Sequence, residues 1–375
     1  MKNINQIKTS NKPSLYIHIP FCQHLCHYCD FTKFFYQKKW IESYLNTLKN
    51  EIASFNQTSF FTIYVGGGTP TSLSLEELTT LLEIIKPYSQ GVIEYTFECN
   101  IESTNEDKLR LLKHYGVNRL SFGVQSTNNQ RLEEIGRHHR YEDIVAMIQV
   151  AKAVQFTDIS VDLIYGLPHQ TITELERDID NIIALDINHI STYSLTIHPH
   201  TKAYIDRWPT LSDDRSRDYY DLILRKLRSA GFERYEVSNF ARNGDYSYHN
   251  HVYWLSKTFY GAGYGASGYL EKEGTHTRYR TIGNFAHYLK GEIEQEKEVL
   301  TGEQLELEYL MNNLRLANGF FLQDYATKFN QPFNEKYRTK LDFLVETKLI
   351  IETKLSIKCT DEGLIKLDYV LFKLL

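Results

Sequence analysis

Leu15-Tyr16-Ile17-His18-Ile19-Pro20-Phe21-Cys22, with Cys26 and Cys29 close behind, is the stretch on which the reading of this chain turns. The apolar run predicts a buried strand that ends in a loop carrying three cysteines in Cys-x-x-x-Cys-x-x-Cys spacing. Thiolates are soft ligands suited to iron–sulfur clusters and to zinc. A four-iron cubane normally takes four protein ligands, so three thiolates would leave one iron open to a small molecule. A structural zinc site should be closed by four N or S ligands, and here only His24 and His27 could stand in for the missing pair. The spacing suits the cluster better than zinc, and inert packing cysteines least of all.

From this loop the pattern extends outward. Predicted strands at Leu15–Ile19, Phe61–Val65, Ile93–Phe97, Arg119–Gly123, Asp158–Leu163 and His189–Leu195 alternate with helical patterns. The helices are Trp40–Ile52, Leu75–Ile85, Glu106–His114, Tyr141–Val154, Ile172–Leu185 and Asp213–Ala230. Ser74 with Glu77 forms a capping-box pattern, Thr104 with Asp107 a weaker one, and Gly116 and Gly231 fall where helices should stop. Six βα repeats with short loops predict a parallel α/β sheet curled into a partial (β/α)6 barrel, whose chemistry sits at the C-terminal strand ends. The cysteine loop leaves the first strand at that end. Gly66-Gly67-Gly68-Thr69-Pro70-Thr71 leaves the second; without a Lys it is no phosphate loop, and it is either a tight turn or a close approach to a ligand. Glu98, Gln125 and Asp162 close the next three.

The 375 residues are 42% hydrophobic and 24% charged, with a net charge of −5, so no basic field invites nucleic acid or anionic lipid. Five cysteines, three of them crowded together, argue against a disulfide framework and for a reducing compartment. Met1–Asn11 is polar and does not read as a secretory signal, and no run approaches the roughly 18 apolar residues of a membrane span. The expected location is the cytoplasm.

Together these motifs resemble the radical S-adenosylmethionine superfamily, in the branch that holds the oxygen-independent coproporphyrinogen III oxidase and the HemW-type heme chaperones. The resemblance is carried by Tyr16-Ile-His-Ile-Pro-Phe-Cys22, Cys26-x-Tyr28-Cys29, Gly66-Gly-Gly-Thr-Pro-Thr71, Ser121-Phe-Gly-Val-Gln125 and Asp162-Leu-Ile-Tyr-Gly-Leu-Pro168, and it covers residues 14–375. It implies that Cys22, Cys26 and Cys29 hold a [4Fe–4S] cluster whose fourth iron is chelated by S-adenosylmethionine. It places Tyr16 beside the cofactor, Tyr28 near its adenine, and backbone groups of Gly67, Gly68 and Thr69 at its methionyl end. It makes Glu98, Gln125, Arg137 and Asp162 polar contacts: carboxylates for ribose hydroxyls or the ammonium, Arg137 for the carboxylate. By itself, Arg137 in Arg137-His138-His139-Arg140 would read as a surface cation. Thr196 stands where the oxidase has an alanine near a second cofactor molecule.

Within the branch, the residues favour the chaperone. The oxidase carries a further cysteine two positions after the third, where this chain has Phe31, and a longer N-terminal extension. His249-Asn250-His251-Val252-Tyr253-Trp254 matches the HNxxYW motif of the chaperones, which implies haem as a ligand, His249 as an axial donor, and Tyr253 and Trp254 as aromatic neighbours. The partners implied are haem and haem-accepting proteins, with membrane-associated respiratory enzymes among the candidates. The rival is a radical enzyme that decarboxylates a porphyrinogen, and oxidase activity is not expected here.

Residues 1–13 read as a leader, 14–235 as the barrel, 236–299 as a connecting region with a Gly-rich turn at Gly261–Gly268, and 300–375 as a helical, winged-helix-like domain. Helices are expected at Glu303–Leu316, Glu335–Glu346 and Asp361–Leu374, with strands at Leu349–Thr353 and Lys354–Cys359. Cys99 and Cys359 read as packing residues. The last domain lacks the basic face of a DNA reader.

Overall fold

The computed structural model describes residues 4–375. Six parallel strands stand side by side in chain order: β1 (Ser14–Ile19), β2 (Thr62–Gly67), β3 (Glu94–Cys99), β4 (Arg119–Gln125), β5 (Asp158–Tyr165) and β6 (His189–Ser194). The helices between them, Lys38–Ser54, Leu75–Ile85, Glu106–His114, Tyr141–Ala153 and Ile172–Ala184, and Asp213–Ser229 after the last, all fall where the periodicity places them. Ser74 accepts from Glu77 N and Glu77 reaches back, so that capping box is real. Thr104 is not a cap: its hydroxyl donates to Asn100 O at 2.7 Å, and the neighbouring Asn105 caps the helix by accepting from Lys108 N.

Strand alternation divides the wall into two faces. Leu15, Ile17, Ile19, Ile63, Val65 and Phe97 are fully buried in the apolar layer beneath the helices. The register pairs Tyr16 with Tyr64, Tyr64 with Thr96, Glu98 with Ser121, Gly123 with Asp162, and Asp162 with Ser191. Polar side chains on successive rungs therefore line the inner face toward the strand exits. A lower row holds Ser14, Thr62 and Glu94, likewise in register.

Residues 236–299, expected as a connecting region, add five strands to the sheet, and Glu233–Arg234 just before them a sixth. Two short strands, β7 (Glu233–Arg234) and β8 (Asn239–Ala241), extend the sheet beyond β6. On the other side β9 (Phe259–Ala262) pairs in parallel with β1, and β10 (Ser267–Lys272), β11 (Thr275–Ile282) and β12 (Glu294–Val299) continue outward antiparallel, giving twelve strands in one mixed sheet. The expected Gly-rich turn shrinks to residues 263–266. Gly263 (φ +103°) and Gly265 (φ +92°) occupy it because a Cβ on Gly263 would collide with His18 O and the Tyr44 hydroxyl.

The motif helix Tyr248–Trp254 closes the bottom of the inner face. Ser247 Oγ, Tyr248 N and His249 N all donate to the buried Glu94 carboxylate, at 3.1, 2.9 and 2.8 Å. The helix Asn5–Thr9, in the region expected as a leader, sets Ile7 against Phe61, Tyr248 and Val252; residues 1–3 of that leader lie outside the described residues. The C-terminal part is helical, with a second apolar core around Leu310, Tyr325, Leu341 and Ile357. It includes a helix, Leu322–Phe329, that the sequence reading passed over. The last expected helix is broken at Lys366 into Asp361–Ile365 and Leu367–Leu374. Among the described residues no helix is long and apolar enough to cross a membrane.

Because Glu94 serves three donors at the start of one helix, Glu94→Ala should cost on the order of 3 kcal/mol of stability in a denaturant titration. A loss below about 1 kcal/mol would mean that the helix is held by its apolar contacts instead.

Candidate functional site

At the strand exits the loops converge on a cavity of about 400 Å³ lined by Cys22, Cys26, Cys29, Glu98, Arg137 and Asp162, with Tyr28, Gly67, Gly68, Thr69 and Gln125 completing its wall. All but two of the residues expected to hold the cluster, the cofactor or the haem iron meet here. The exceptions are Tyr16 and His249. The Tyr16 hydroxyl pairs with His18 Nδ1 at 2.9 Å and its ring lines a neighbouring cleft, not this cavity.

The cysteine loop is pinned at both ends. Phe21–Cys22 pairs in parallel with Phe34–Phe35, and His18 Nε2 bonds Thr32 O at 2.8 Å. Thr69 Oγ1 donates toward Cys22 Sγ at 3.5 Å, Arg137 Nη1 toward Cys26 Sγ at 3.6 Å, and Lys33 Nζ holds Cys29 O at 2.5 Å. Burial pushes the Cys22 thiol up to about 12 and also raises Cys29, so without a metal both stay protonated. Soft sulfurs with donors aimed at them and a cation alongside are a donor set that fits an iron–sulfur cluster. No three Cys, His, Asp or Glu side chains among the described residues gather tightly enough to chelate a single ion. Cys99 and Cys359 are buried at 2% and 4% exposure, Cys359 in the C-terminal core, as packing residues should be.

Arg137 is not a surface cation. It is 5% exposed, its Nε lies 3.1 Å from Glu102, and its Nη2 donates to Gly123 O at 2.5 Å and Asn100 Oδ1 at 3.2 Å. Burial alone would raise the Glu102 carboxyl, but the His139 hydrogen bond and the Arg137 charge hold it at about 2. Neither Glu102 nor Asn100 drew a role from sequence; the only hint was their position just after the β3 exit.

The glycine loop is packed closely against protein side chains and is more than a turn. A Cβ on Gly66 would lie 2.6 Å from the Glu98 carboxyl carbon, and one on Gly67 (φ +113°) would lie 2.8 Å from the His18 ring. Its N–H groups, however, are already used: Gly67 N donates to Glu98 Oε2, Gly68 N to Ile19 O and Thr69 N to Phe21 O. The expectation that these residues offer backbone groups narrows to carbonyl oxygens.

Two carboxyls at the mouth are poised near neutrality. Burial raises Glu98 to about 7, against hydrogen bonds from Tyr64 and Gly67 N, and raises Asp162 to about 6, against Ser191 and the charges of Arg119 and Arg137. Gln125 sits at a β-bulge with φ +70°, which turns its amide into the mouth beside Gly123. Tyr28 packs on the apolar cluster of Leu132, Ile135, Ile164 and Leu167. Thr196 and Tyr193 lie on the outer rim of the cavity.

His249 is placed differently from its expected role. It is fully buried, its Nδ1 is 2.8 Å from Thr62 Oγ1 and its Nε2 2.8 Å from the Tyr253 hydroxyl. Burial lowers it to about 3, so the ring is neutral with both nitrogens engaged. The reason is the Glu94 anchor, which turns the first residues of the helix toward the inner face. Asn250 reaches the barrel cavity, while Tyr253 and Trp254 line the cleft that Tyr16 also borders.

Residues 16–182 match the family model of the Radical SAM superfamily, and residues 300–365 that of the HemN C-terminal domain. The chain is 38% identical to the heme chaperone HemW of Bacillus subtilis (strain 168) over 93% of this chain and 96% of that one. It is 35% identical to HemW of Lactococcus lactis over 93% and 94%. Among solved structures, the coproporphyrinogen III oxidase HemN from Escherichia coli superposes with a TM-score of 0.82 over 99% of this chain and 92% of that one, at 21% identity, a likeness of fold. A radical SAM barrel with a HemN-type C-terminal domain, and such similarity along nearly its whole length, place this chain in the HemW heme chaperone family.

Proposed function

We propose that this chain binds haem and hands it to haem-accepting proteins, holding a [4Fe–4S] cluster on Cys22, Cys26 and Cys29 and S-adenosylmethionine in the barrel cavity. The observation that carries the proposal is the placement of the helix Tyr248–Trp254. It plugs the polar floor of the barrel, touches the cofactor cavity through Asn250, and presents Tyr253 and Trp254 to a separate cleft. One short element thus borders both a site for the cofactor and a site for cargo. The setting is the cytoplasm, in keeping with five unpaired cysteines. Membrane-associated respiratory enzymes are the first class of acceptor to test.

The residues divide the work in the cavity. Thr69 Oγ1 and Arg137 Nη1 donate toward the sulfurs of Cys22 and Cys26 and so orient them as ligands. Bound there, the cluster supplies an iron open to the amino and carboxylate groups of S-adenosylmethionine. Glu98 and Asp162 meet a positively charged ligand as carboxylates, and Gln125 hydrogen-bonds beside them. Tyr28 offers its ring to the adenine. Arg137 keeps Glu102 as its own counter-ion, so it steers a ligand carboxylate without being consumed by it. Phe31, which is 66% exposed, stands at the rim where the oxidase has its further cysteine, and this weighs against porphyrinogen decarboxylation.

Purified and reconstituted without oxygen, the protein should be brown and hold about four irons per chain. Cys22→Ala, Cys26→Ala and Cys29→Ala should each bleach it, whereas Cys359→Ala should not. The same preparation should bind haem and release no carbon dioxide from coproporphyrinogen III when given reductant and S-adenosylmethionine. Stoichiometric zinc in place of iron would overturn the cluster, and decarboxylation with no haem binding would restore the oxidase.

Affinity for S-adenosylmethionine should fall as the pH drops through about 7, because Glu98 takes up a proton there and loses its attraction for a cation. The sign for stability is opposite. A carboxyl raised by folding binds its proton more tightly in the native state, so its contribution declines as pH rises from the ordinary carboxylate range to about 7. Glu98→Gln should flatten the binding profile, and Gly66→Ala, whose methyl displaces that carboxylate, should imitate it with the cluster intact. A pH profile identical in wild type and Glu98→Gln would remove Glu98 from the ligand.

For haem, His249→Ala should weaken binding about tenfold without altering the cluster absorbance. A shift of the Soret maximum in that variant would put the imidazole on the iron after release from Tyr253. An unmoved maximum would confine His249 to holding Tyr253 in place.

A further inference from the structure

Beside the barrel mouth the outer strands form a second concavity of about 970 Å³, open to solvent and within the range of small-molecule sites. Its floor follows from register. Tyr16 lies beside Gly261 of β9, Phe259 opposite Tyr269, Tyr269 opposite Arg278, Ser267 opposite Arg280. Residues directly opposite share a face, so Phe259, Tyr269, Arg278 and Arg280 continue the inner face of the barrel past its open edge. Tyr253 and Trp254 form one wall, Asp30-Phe31-Thr32 of the cysteine loop another, and Glu308 and Asn312 of the helix Gly302–Leu314 border the C-terminal side.

The charges in the cleft are unevenly satisfied. Arg278 is held by Glu298 at 2.7 Å and Glu308 at 3.4 Å, and Asp30 faces His198 at 3.4 Å. Arg280 has only the neutral Thr32 hydroxyl, at 3.2 Å. Among the described residues no carboxylate comes within ion-pair distance of it, although Glu296 lies opposite in the ladder. Trp254 carries the Arg315 guanidinium 4.4 Å over its ring, and its buried Nε1–H has no acceptor among the described residues. An exposed, uncompensated guanidinium beside flat aromatic walls matches a large planar ligand with a carboxylate at its edge.

We infer that this cleft is the seat of haem, with the macrocycle between Tyr253–Trp254 and the Phe259–Tyr269 floor and a propionate on Arg280, an assignment that rests on the haem-binding function proposed above. The seat explains why the motif ends in an aromatic pair, and why the outer strands put arginines on the inner face of an otherwise solvent-facing edge. Iron(III) protoporphyrin IX and its dimethyl ester, titrated into the anaerobically reconstituted protein, provide the test. Arg280→Met should weaken haem binding about tenfold and leave the ester unaffected, since only the free acid offers a charged partner. Ser267→Trp, which fills the cleft from an exposed strand position, should abolish binding of both. Cluster absorbance and S-adenosylmethionine affinity serve as controls for folding. Haem binding in the wild type with unchanged affinity in both variants, or equal loss for haem and ester in Arg280→Met, overturns the seat alone. No binding of haem by the wild type overturns the proposed function and the seat with it.

Discussion

A carboxylate set into the wall of a parallel barrel is largely cut off from bulk water, and the fold has to give it a partner. This chain does so by opposite means at the two ends of the same wall. At the bottom, Glu94 and Thr62 are capped by the helix Tyr248–Trp254: three donors on one carboxylate, and an imidazole on the hydroxyl. At the top, Glu98 has Tyr64 and one backbone N–H, Asp162 has Ser191, and burial leaves both well above the ordinary carboxylate range. Protein closes the floor, and the mouth is left to a ligand. Arg137 prevents the mouth from collapsing, because a buried guanidinium needs several acceptors at once. It finds them on the β3 loop, at the β4 exit and in the cysteine loop, and so fixes three loops relative to one another.

The sequence made the six βα units legible because each strand alternates or runs apolar and each helix repeats its apolar face; the helix ends differ from expectation by only a residue or two. The outer strands were illegible for a physical reason. β9 and β10 hold Gly261 and Gly268 next to the turn glycines, which read as loop, and β12 is Glu-Gln-Glu-Lys-Glu-Val, exposed at every residue but Gln295. A strand stabilised by its ladder and not by burial carries little hydrophobic signal. Arg137 could be placed only through the family resemblance: Arg-His-His-Arg by itself looks solvated, and the fold brings Glu102 and Gly123 O around it. Thr104 lost its cap to Asn105 because the loop placed the Thr104 hydroxyl on Asn100 O first.

His249 is more instructive than those misses. A motif match names which residues matter but not which of them faces the ligand. Sequence logic put the chemistry on the imidazole, since histidine is the commonest donor to haem iron among the motif's side chains. Geometry turns His249 inward, four residues and about one helical turn from Tyr253, whose hydroxyl its Nε2 holds. Thr62 donates to Ser14 Oγ, so its oxygen accepts from His249 Nδ1–H, and Nε2 is left as the acceptor for the Tyr253 hydroxyl. The chain Ser14–Thr62–His249–Tyr253 thus fixes an aromatic side chain at the cleft from beneath the barrel floor.

The two concavities share a wall. Asp30 and Phe31 line both, and Thr32 is tied by His18, whose ring also bears on Gly67 of the glycine loop and whose other nitrogen meets Tyr16 in the cleft. Metal bonds to Cys22, Cys26 and Cys29 would fix the same loop that supplies Asp30, Phe31 and Thr32 to the cleft. Ordering that wall beforehand lowers the entropy a second ligand must spend to be held there. Coupling of this kind is reciprocal: the factor by which a loaded cysteine loop strengthens binding in the cleft is the factor by which an occupied cleft strengthens retention in the loop. Under the proposed function, a cluster in this loop would regulate the cleft through contact alone, with no bond of the cofactor being cleaved.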